Sequence, residues 1–301
     1  MNDQAQASTA NPARSALGGL ATGMPPHLWF CVSAIFHYLG PAFAVLLFPH
    51  VGVLGMAWLR IATAALIFAP LTRPWRTFAN AAPRARLLLM AFGACLAVMN
   101  CSFYQALDRL PISLVAAIEF VGTIGIALAG LRSARNLAAL AVAVAGTLLL
   151  IDVKWSSDPV GLFWAFLNGA LFVGYIVLGH RVARAGAGDG IAGLGAAMAV
   201  AFLVVLPIGL TDALPAFFSP PLLVAAIGVG ICSSVIPYVC DQLAMARLPR
   251  ASFALMLSLL PVTATLIGVV VLRQVPTPAD CLGIALVVAG VAFHKPGSAG
   301  S

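Results

Sequence analysis

A chain of 301 residues in which 62% are hydrophobic and only 8% charged is not a soluble domain, because charged residues make up about a quarter of those. It reads as an all-α integral membrane protein. The formal net charge of +7 does not point to nucleic acid either, since the basic residues fall in short loops between apolar runs, where they act as topology signals.

Residues 1–26, rich in Ala, Ser, Gly and Pro, are expected to form a disordered cytoplasmic tail, and 295–301 a second one. No removable signal peptide is evident. Between the tails, charges, prolines and glycine clusters cut the chain into ten candidate spans near the roughly 20 residues a bilayer requires. Their limits are 28–48, 51–71, 87–106, 112–131, 137–152, 160–180, 191–210, 222–244, 251–272 and 279–294. An echo divides them. Arg109-Leu110-Pro111 opens the fourth run, and Arg247-Leu248-Pro249 opens the ninth. The short fifth and tenth runs share a pattern, Ala141 to Gly146 (AVAVAG) and Ala285 to Gly290 (ALVVAG). The expectation is two five-helix repeats, 27–153 and 154–294.

With the amino terminus inside, the cytoplasmic segments hold Arg14, Arg73, Arg76, Arg84, Arg86, Arg132, Arg135, Arg181, Arg184, Arg247, Arg250 and Lys295. The outer segments hold only Arg109, Lys154 and Arg273. This is the positive-inside bias of a protein with both termini cytoplasmic. Five spans per half is odd, so the second half runs upside down and the repeat is inverted.

Glu119 is the chain's single glutamate and lies inside the fourth apolar run. An acid there usually faces a protein cavity, titrates or pairs with a cation. Counting from the outer ends at about 1.5 Å per residue, Glu119 lies roughly 10 Å in, Arg60 roughly 13 Å, Asn100 roughly 9 Å and Asn168 roughly 12 Å. These four share a level. His37 lies somewhat deeper on the first span, on one face with Ser33 and Pro41. Pro41 frees a backbone carbonyl that could kink the helix and meet a ligand.

Each position also has a plainer reading. Arg60 and Glu119 could be a buried structural ion pair, His37 a hydrogen-bonded packing residue, and Asn100 and Asn168 helix-to-helix hydrogen bonds. Asp241 lies near the inner end of its span, where solvent or Arg247 could satisfy it. Trp58, Tyr104 and Tyr238 fit aromatic anchors or cavity walls, and Tyr175 a gate or the interfacial belt. The six cysteines, Cys31, Cys95, Cys101, Cys232, Cys240 and Cys281, lie in apolar runs without a CxxC pair. They read as small packing residues rather than disulfides or metal ligands.

The run Met99-Asn100-Cys101-Ser102-Phe103-Tyr104, then Leu110-Pro111 and Ala117-Ile118-Glu119-Phe120-Val121-Gly122, resembles the first repeat of EamA-type members of the drug/metabolite transporter superfamily. Pro237-Tyr238, Arg247-Leu248-Pro249, Phe253, Leu257-Ser258-Leu259 and Pro261 resemble the second, and Trp58-Leu59-Arg60 and Tyr175 also match. The resemblance runs from Trp29 to Phe293 and is nearest the threonine and homoserine exporter branch. It implies ten helices in two inverted halves, cytoplasmic termini and efflux of small metabolites across the inner membrane. The chain departs from that branch at Leu260, Arg273-Gln274 and Thr123, where the branch carries an acid, Gly-Glu and a proline, and at Asp241, where it carries a glutamate.

No GxSxG, HExxH or Walker lysine is present, so neither an enzyme nor an ATP-driven pump is expected. An integral-membrane transferase and a passive channel are the rival readings. Turnover of a labelled substrate to a new product would favour the first, and strictly downhill flux the second. The expected partners are a small-molecule substrate and the lipid bilayer, with no nucleic acid, metal or cofactor; a coupling proton at Glu119, with Arg60 as its conformation-dependent partner, and a homodimer are left open.

Overall fold

The computed structural model describes residues 25–120, 133–152, 158–184, 190–245, 247–248, 256–257 and 259–293, and all regular structure among these is helical. In chain order the helices are α1 (Pro26–Val51), α2 (Val53–Thr72), the short α3 (Pro74–Asn80), α4 (Pro83–Leu107), α5 (112–120) and α6 (Ala134–Asp152). They continue with α7 (Pro159–Arg184), α8 (Gly190–Phe217) and α9 (Pro220–Gly230), which passes through a π-helical turn (Ile231–Val235) into α10 (Ile236–Met245). α11 (Leu259–Leu272) and α12 (Pro278–Phe293) close the chain. The fourth span beyond Phe120, most of the ninth span's first third and both tails lie outside the described residues.

Prolines set half of the described helix starts. Pro26, Pro74, Pro83, Pro159, Pro220 and Pro278 each stand at the first helical position, where the missing N–H costs nothing and the fixed φ suits the helix. Pro41 lies within α1, which runs through it to Val51. Among the described residues six helices are long and apolar enough to cross a membrane: Pro26–Val51, Val53–Thr72, Pro83–Leu107, Pro159–Val182, Ile191–Phe217 and Pro220–Asp241. Leu66, Phe163 and Val270 point outward among many exposed large apolar side chains, whereas Arg60 and Glu119 are buried. That inversion of the soluble pattern suits a protein dissolved in lipid.

The helices pair in a regular way. α6 lies along α12, α2 along α8, α4 against both α7 and α8, and α1 against α10 and α11, while α9 packs on α2. The α6–α12 seam depends on two glycines. A Cβ on Gly146 would come 2.5 Å from the carbonyl oxygen of Gly283, and one on Gly290 would come 2.6 Å from that of Ala139. The shared AVAVAG and ALVVAG patterns therefore mark one reciprocal contact, backbone against backbone, of the small-residue kind that membrane helices use.

Between α1 and α2 there is a single residue. Gly52 has φ +64°, its N–H donates to the Phe48 carbonyl at 2.9 Å, and its carbonyl accepts from the Met56 N–H at 3.1 Å. It ends one helix and starts the next in a conformation that side chains resist. At the start of α7, Asp158 Oδ1 accepts from the backbone N–H of Gly161 (3.0 Å) and Val160 (2.9 Å), and its Oδ2 accepts from Arg109 Nη1 at 3.2 Å. The Gly161 N–H, helped by Arg109 and Val160, holds the Asp158 carboxyl below its ordinary range. Arg109 of the Arg-Leu-Pro before α5 is thereby tied to the start of α7.

Candidate functional site

Glu119, near the end of the described part of α5, is buried and accepts two hydrogen bonds. Tyr38 of α1 donates its hydroxyl to Oε2 at 3.0 Å, and Asn168 of α7 donates Nδ2 to Oε1 at 2.8 Å. The carboxyl group thus joins α1 and α7, helices more than a hundred residues apart in the sequence. A close approach of α7 lets this happen, since a Cβ on Gly169 would sit 3.3 Å from the Ile118 carbonyl oxygen. Asn168 does make a helix-to-helix hydrogen bond, but to the very residue the sequence singled out. Its Oδ1 is buried without a partner among the described residues.

Arg60 of α2 crosses to the π turn. Its Nε donates to Ser234 Oγ at 2.7 Å and its Nη2 to the Ser233 carbonyl at 2.8 Å. The wide turn is what presents that carbonyl, because a π turn breaks the i→i−4 ladder locally. The guanidinium carbon lies 5.3 Å from the centre of the Tyr104 ring and 5.9 Å from that of Phe103, within cation–π range. The π turn itself lies close against α1, where a Cβ on Gly40 would come 2.6 Å from Ser233. Arg60 and Glu119 do not form an ion pair in this conformation; each is held by neutral partners.

Asp241 of α10 is half-buried and accepts the Ser33 hydroxyl of α1 at 2.5 Å; the same hydroxyl reaches the Pro237 carbonyl at 3.2 Å. Ser33, one of the three residues expected on a single face of α1, supplies the partner that solvent or Arg247 was expected to give. His37, also half-buried, stands edge-on to Tyr38 with ring centres 5.2 Å apart. Asn100 donates to its own helix at the Leu96 carbonyl (2.7 Å), and the Tyr238 hydroxyl is turned toward it without reaching hydrogen-bond geometry.

Tyr175 is buried in an aromatic stack rather than placed in an interfacial belt. Its ring centre is 5.4 Å from that of Phe92, 6.0 Å from that of Phe172 and 6.0 Å from that of Tyr238. Trp58 is a packing wall between α2 and α8, against Phe202 at 5.8 Å and Phe217 at 6.0 Å. Tyr104 meets Phe48 edge-on at 5.5 Å. No group of three or more metal-ligating side chains occurs among the described residues.

Sequence reasoning missed Tyr38, Ser233 and Ser234 as partners. Tyr38 follows His37 directly and could have been placed beside Glu119 only by knowing which face of α1 points inward. The adjacent serines, five and four residues before Tyr238, offered a weak signal: two small hydroxyls in an otherwise apolar span.

The EamA-like transporter family model matches residues 159–294. Over 253 residues the chain is 31% identical to the threonine/homoserine exporter RhtA of Escherichia coli (strain K12), covering 83% of this chain and 84% of that protein. It is 30% identical to the threonine/homoserine exporter RhtA of Salmonella typhimurium (strain SL1344) over the same shares. A solved structure aligns with a TM-score of 0.59 at 20% identity, over 89% of this chain and 96% of its own, and shares the fold. The chain therefore belongs to the EamA-type drug/metabolite transporters, on the branch of the threonine/homoserine exporters.

Proposed function

We propose that this protein is a secondary active transporter that exports small polar metabolites, amino acids or related compounds, by alternating access of two inverted five-helix repeats. The observation that carries the reading is the hold on Glu119. One carboxyl group takes a hydrogen bond from Tyr38 in the first half and another from Asn168 in the second, so any rocking of the halves must exchange its partners. Arg60 likewise reaches from the first half to the π turn of the second. The helix pairings support an approximate two-fold relation: α6 with α12 and α2 with α8 would each map onto themselves, and α4–α7 onto α10–α1. The printed names of the relatives support amino acids as the substrate class.

In this reading Glu119 carries the coupling proton. The outward-open form protonates it as substrate leaves, and the inward-open form returns the proton to the cytoplasm, with Arg60 free to approach it in one state of the cycle. Purified protein in liposomes is expected to concentrate L-threonine or L-homoserine against its gradient when a proton gradient is imposed. Strictly downhill flux of every transported solute would sink the proposal in favour of a channel. The topology has its own test, after replacement of the native cysteines. Cysteines at Thr77 and Ala187 should react only with reagents that enter the cell, and one at Ser157 from outside; labelling of all three from one side would rule out the inverted repeat.

A further inference from the structure

Arg60 makes no ion pair among the described residues. Both carboxylates described within the membrane helices near it are engaged elsewhere, Glu119 by Tyr38 and Asn168, Asp241 by Ser33. The guanidinium leans on neutral acceptors and two aromatic rings, although a permanent buried charge in a membrane is costly unless matched. Its Nη1 is buried and makes no hydrogen bond among the described residues. The same is true of the Tyr104 hydroxyl and the Ser233 hydroxyl, and the Tyr104 hydroxyl lies toward both Ser233 and Arg60. All three residues are buried. α2, α4 and the π turn thus bring together a permanent positive charge and three hydrogen-bonding groups with no partner outside this cluster among the described residues, and Arg60 can only donate.

We propose that Arg60 Nη1, the Tyr104 hydroxyl and the Ser233 hydroxyl form the receptor for a carboxylate on the transported substrate, and that Ser234 is the positioning residue that aims Arg60 at it. This rests on the transport reading above and adds the group the substrate must carry. The chemistry selects a monoanion. Nη1 offers two N–H groups and the hydroxyls one O–H each, which together suit the lone pairs of two carboxylate oxygens. A doubly charged phosphate would bring a second negative charge with no second cation among the described residues of the cluster. Ser234 Oγ and the Ser233 carbonyl occupy Nε and Nη2, so the guanidinium cannot turn its whole fork toward solute. Nη1, with both of its N–H groups, and the second N–H of Nη2 are left to recognise one.

The test uses the full chain purified in detergent and three probes: L-threonine, L-threonine amide and L-lactate. Ligand-dependent shifts of the unfolding midpoint give relative affinities. L-threonine should stabilise the wild type while the amide at equal concentration does not. Ser234→Ala should weaken L-threonine binding roughly tenfold, the scale of one hydrogen bond to a charged group, and narrow the acid-over-amide preference, which a purely structural role would leave unchanged. Arg60→Lys, which keeps the charge but not the fork, should abolish the preference. Should Ser234→Ala fail to fold, the wild-type comparison of acid and amide still decides the receptor. Equal binding of acid and amide would overturn it while leaving amino-acid export standing. Binding of L-lactate without L-threonine would uphold it and refute the amino-acid reading. No binding of any probe would overturn it, and full acid preference in Ser234→Ala would remove Ser234 from the positioning role.

Discussion

The seam between α6 and α12 and the centre between α1, α2, α5, α7 and the π turn join distant parts of the chain by opposite means. At the seam, glycines bring backbones together and leave no space for a side chain. At the centre, five side chains from α1, α2, α5, α7 and the π turn reach across to make hydrogen bonds of 2.7 to 3.0 Å. Close backbone packing has one arrangement, whereas side-chain hydrogen bonds can change partners. The difference teaches that this transporter keeps its rigid joint away from its exchangeable one.

Substitutions should separate the two. The largest expected effect is functional: Glu119→Gln should abolish proton-driven accumulation in liposomes while retaining substrate-for-substrate exchange, because a neutral amide imitates one state of the cycle. Its stability should change by only about 1 kcal/mol, since the amide oxygen still accepts a hydrogen bond. If well-folded Glu119→Gln protein still accumulates substrate with unchanged pH dependence, the coupling lies elsewhere.

At the seam the expected pattern reverses. Gly290→Val places a Cβ 2.6 Å from the Ala139 carbonyl oxygen and 2.8 Å from the Ala143 nitrogen, so it should cost about 1–3 kcal/mol by overpacking. Transport per folded molecule should survive. Gly228→Ala is the control, for a Cβ there meets nothing within 4 Å. It should leave stability unchanged or raise it by up to about 1 kcal/mol. Equal unfolding midpoints for the two variants would show that the seam is looser than its backbone contacts imply.

The smallest effect belongs to neither region. Because its folded carboxyl titrates below the ordinary aspartate range, Asp158 adds stability at neutral pH that is fully present above the unfolded value and fades as pH falls through the folded one. Asp158→Asn should therefore unfold slightly earlier than wild type at pH 7, with the gap closing in acid. Asp158 is partly exposed and its partner Arg109 more so, so salt should shrink the gap as well.

Much of this was legible in the sequence, and what was not has a common cause. Composition pointed to the membrane class, and of the arginine and asparagine placed at the depth of the lone glutamate, Asn168 is hydrogen-bonded to Glu119 whereas Arg60 is held by Ser234 and the Ser233 carbonyl. Depth along a helix can be counted. Rotation about its axis is set by neighbours, and this is why Glu119 and Arg60, opposite in charge and similar in depth, have other partners here. Tyr38, and the pairing of Ser33 with Asp241, were hidden for the same reason. The π turn was hidden because one widened turn hardly disturbs the hydropathy of a uniformly apolar span.

Gly52 has a mechanical consequence. A joint of one residue has two soft dihedral angles, and the chain on either side is fully helical, so in the proposed cycle α1 and α2 would swing as two arms joined at one short hinge. Tyr38 rides on one arm and Arg60 on the other. A turn of α1 that pulled Tyr38 away from Glu119 would be transmitted through the elbow to the arginine, with no slack in which to lose the motion. Lengthening that elbow by a few flexible residues would leave both arms intact and uncouple their timing.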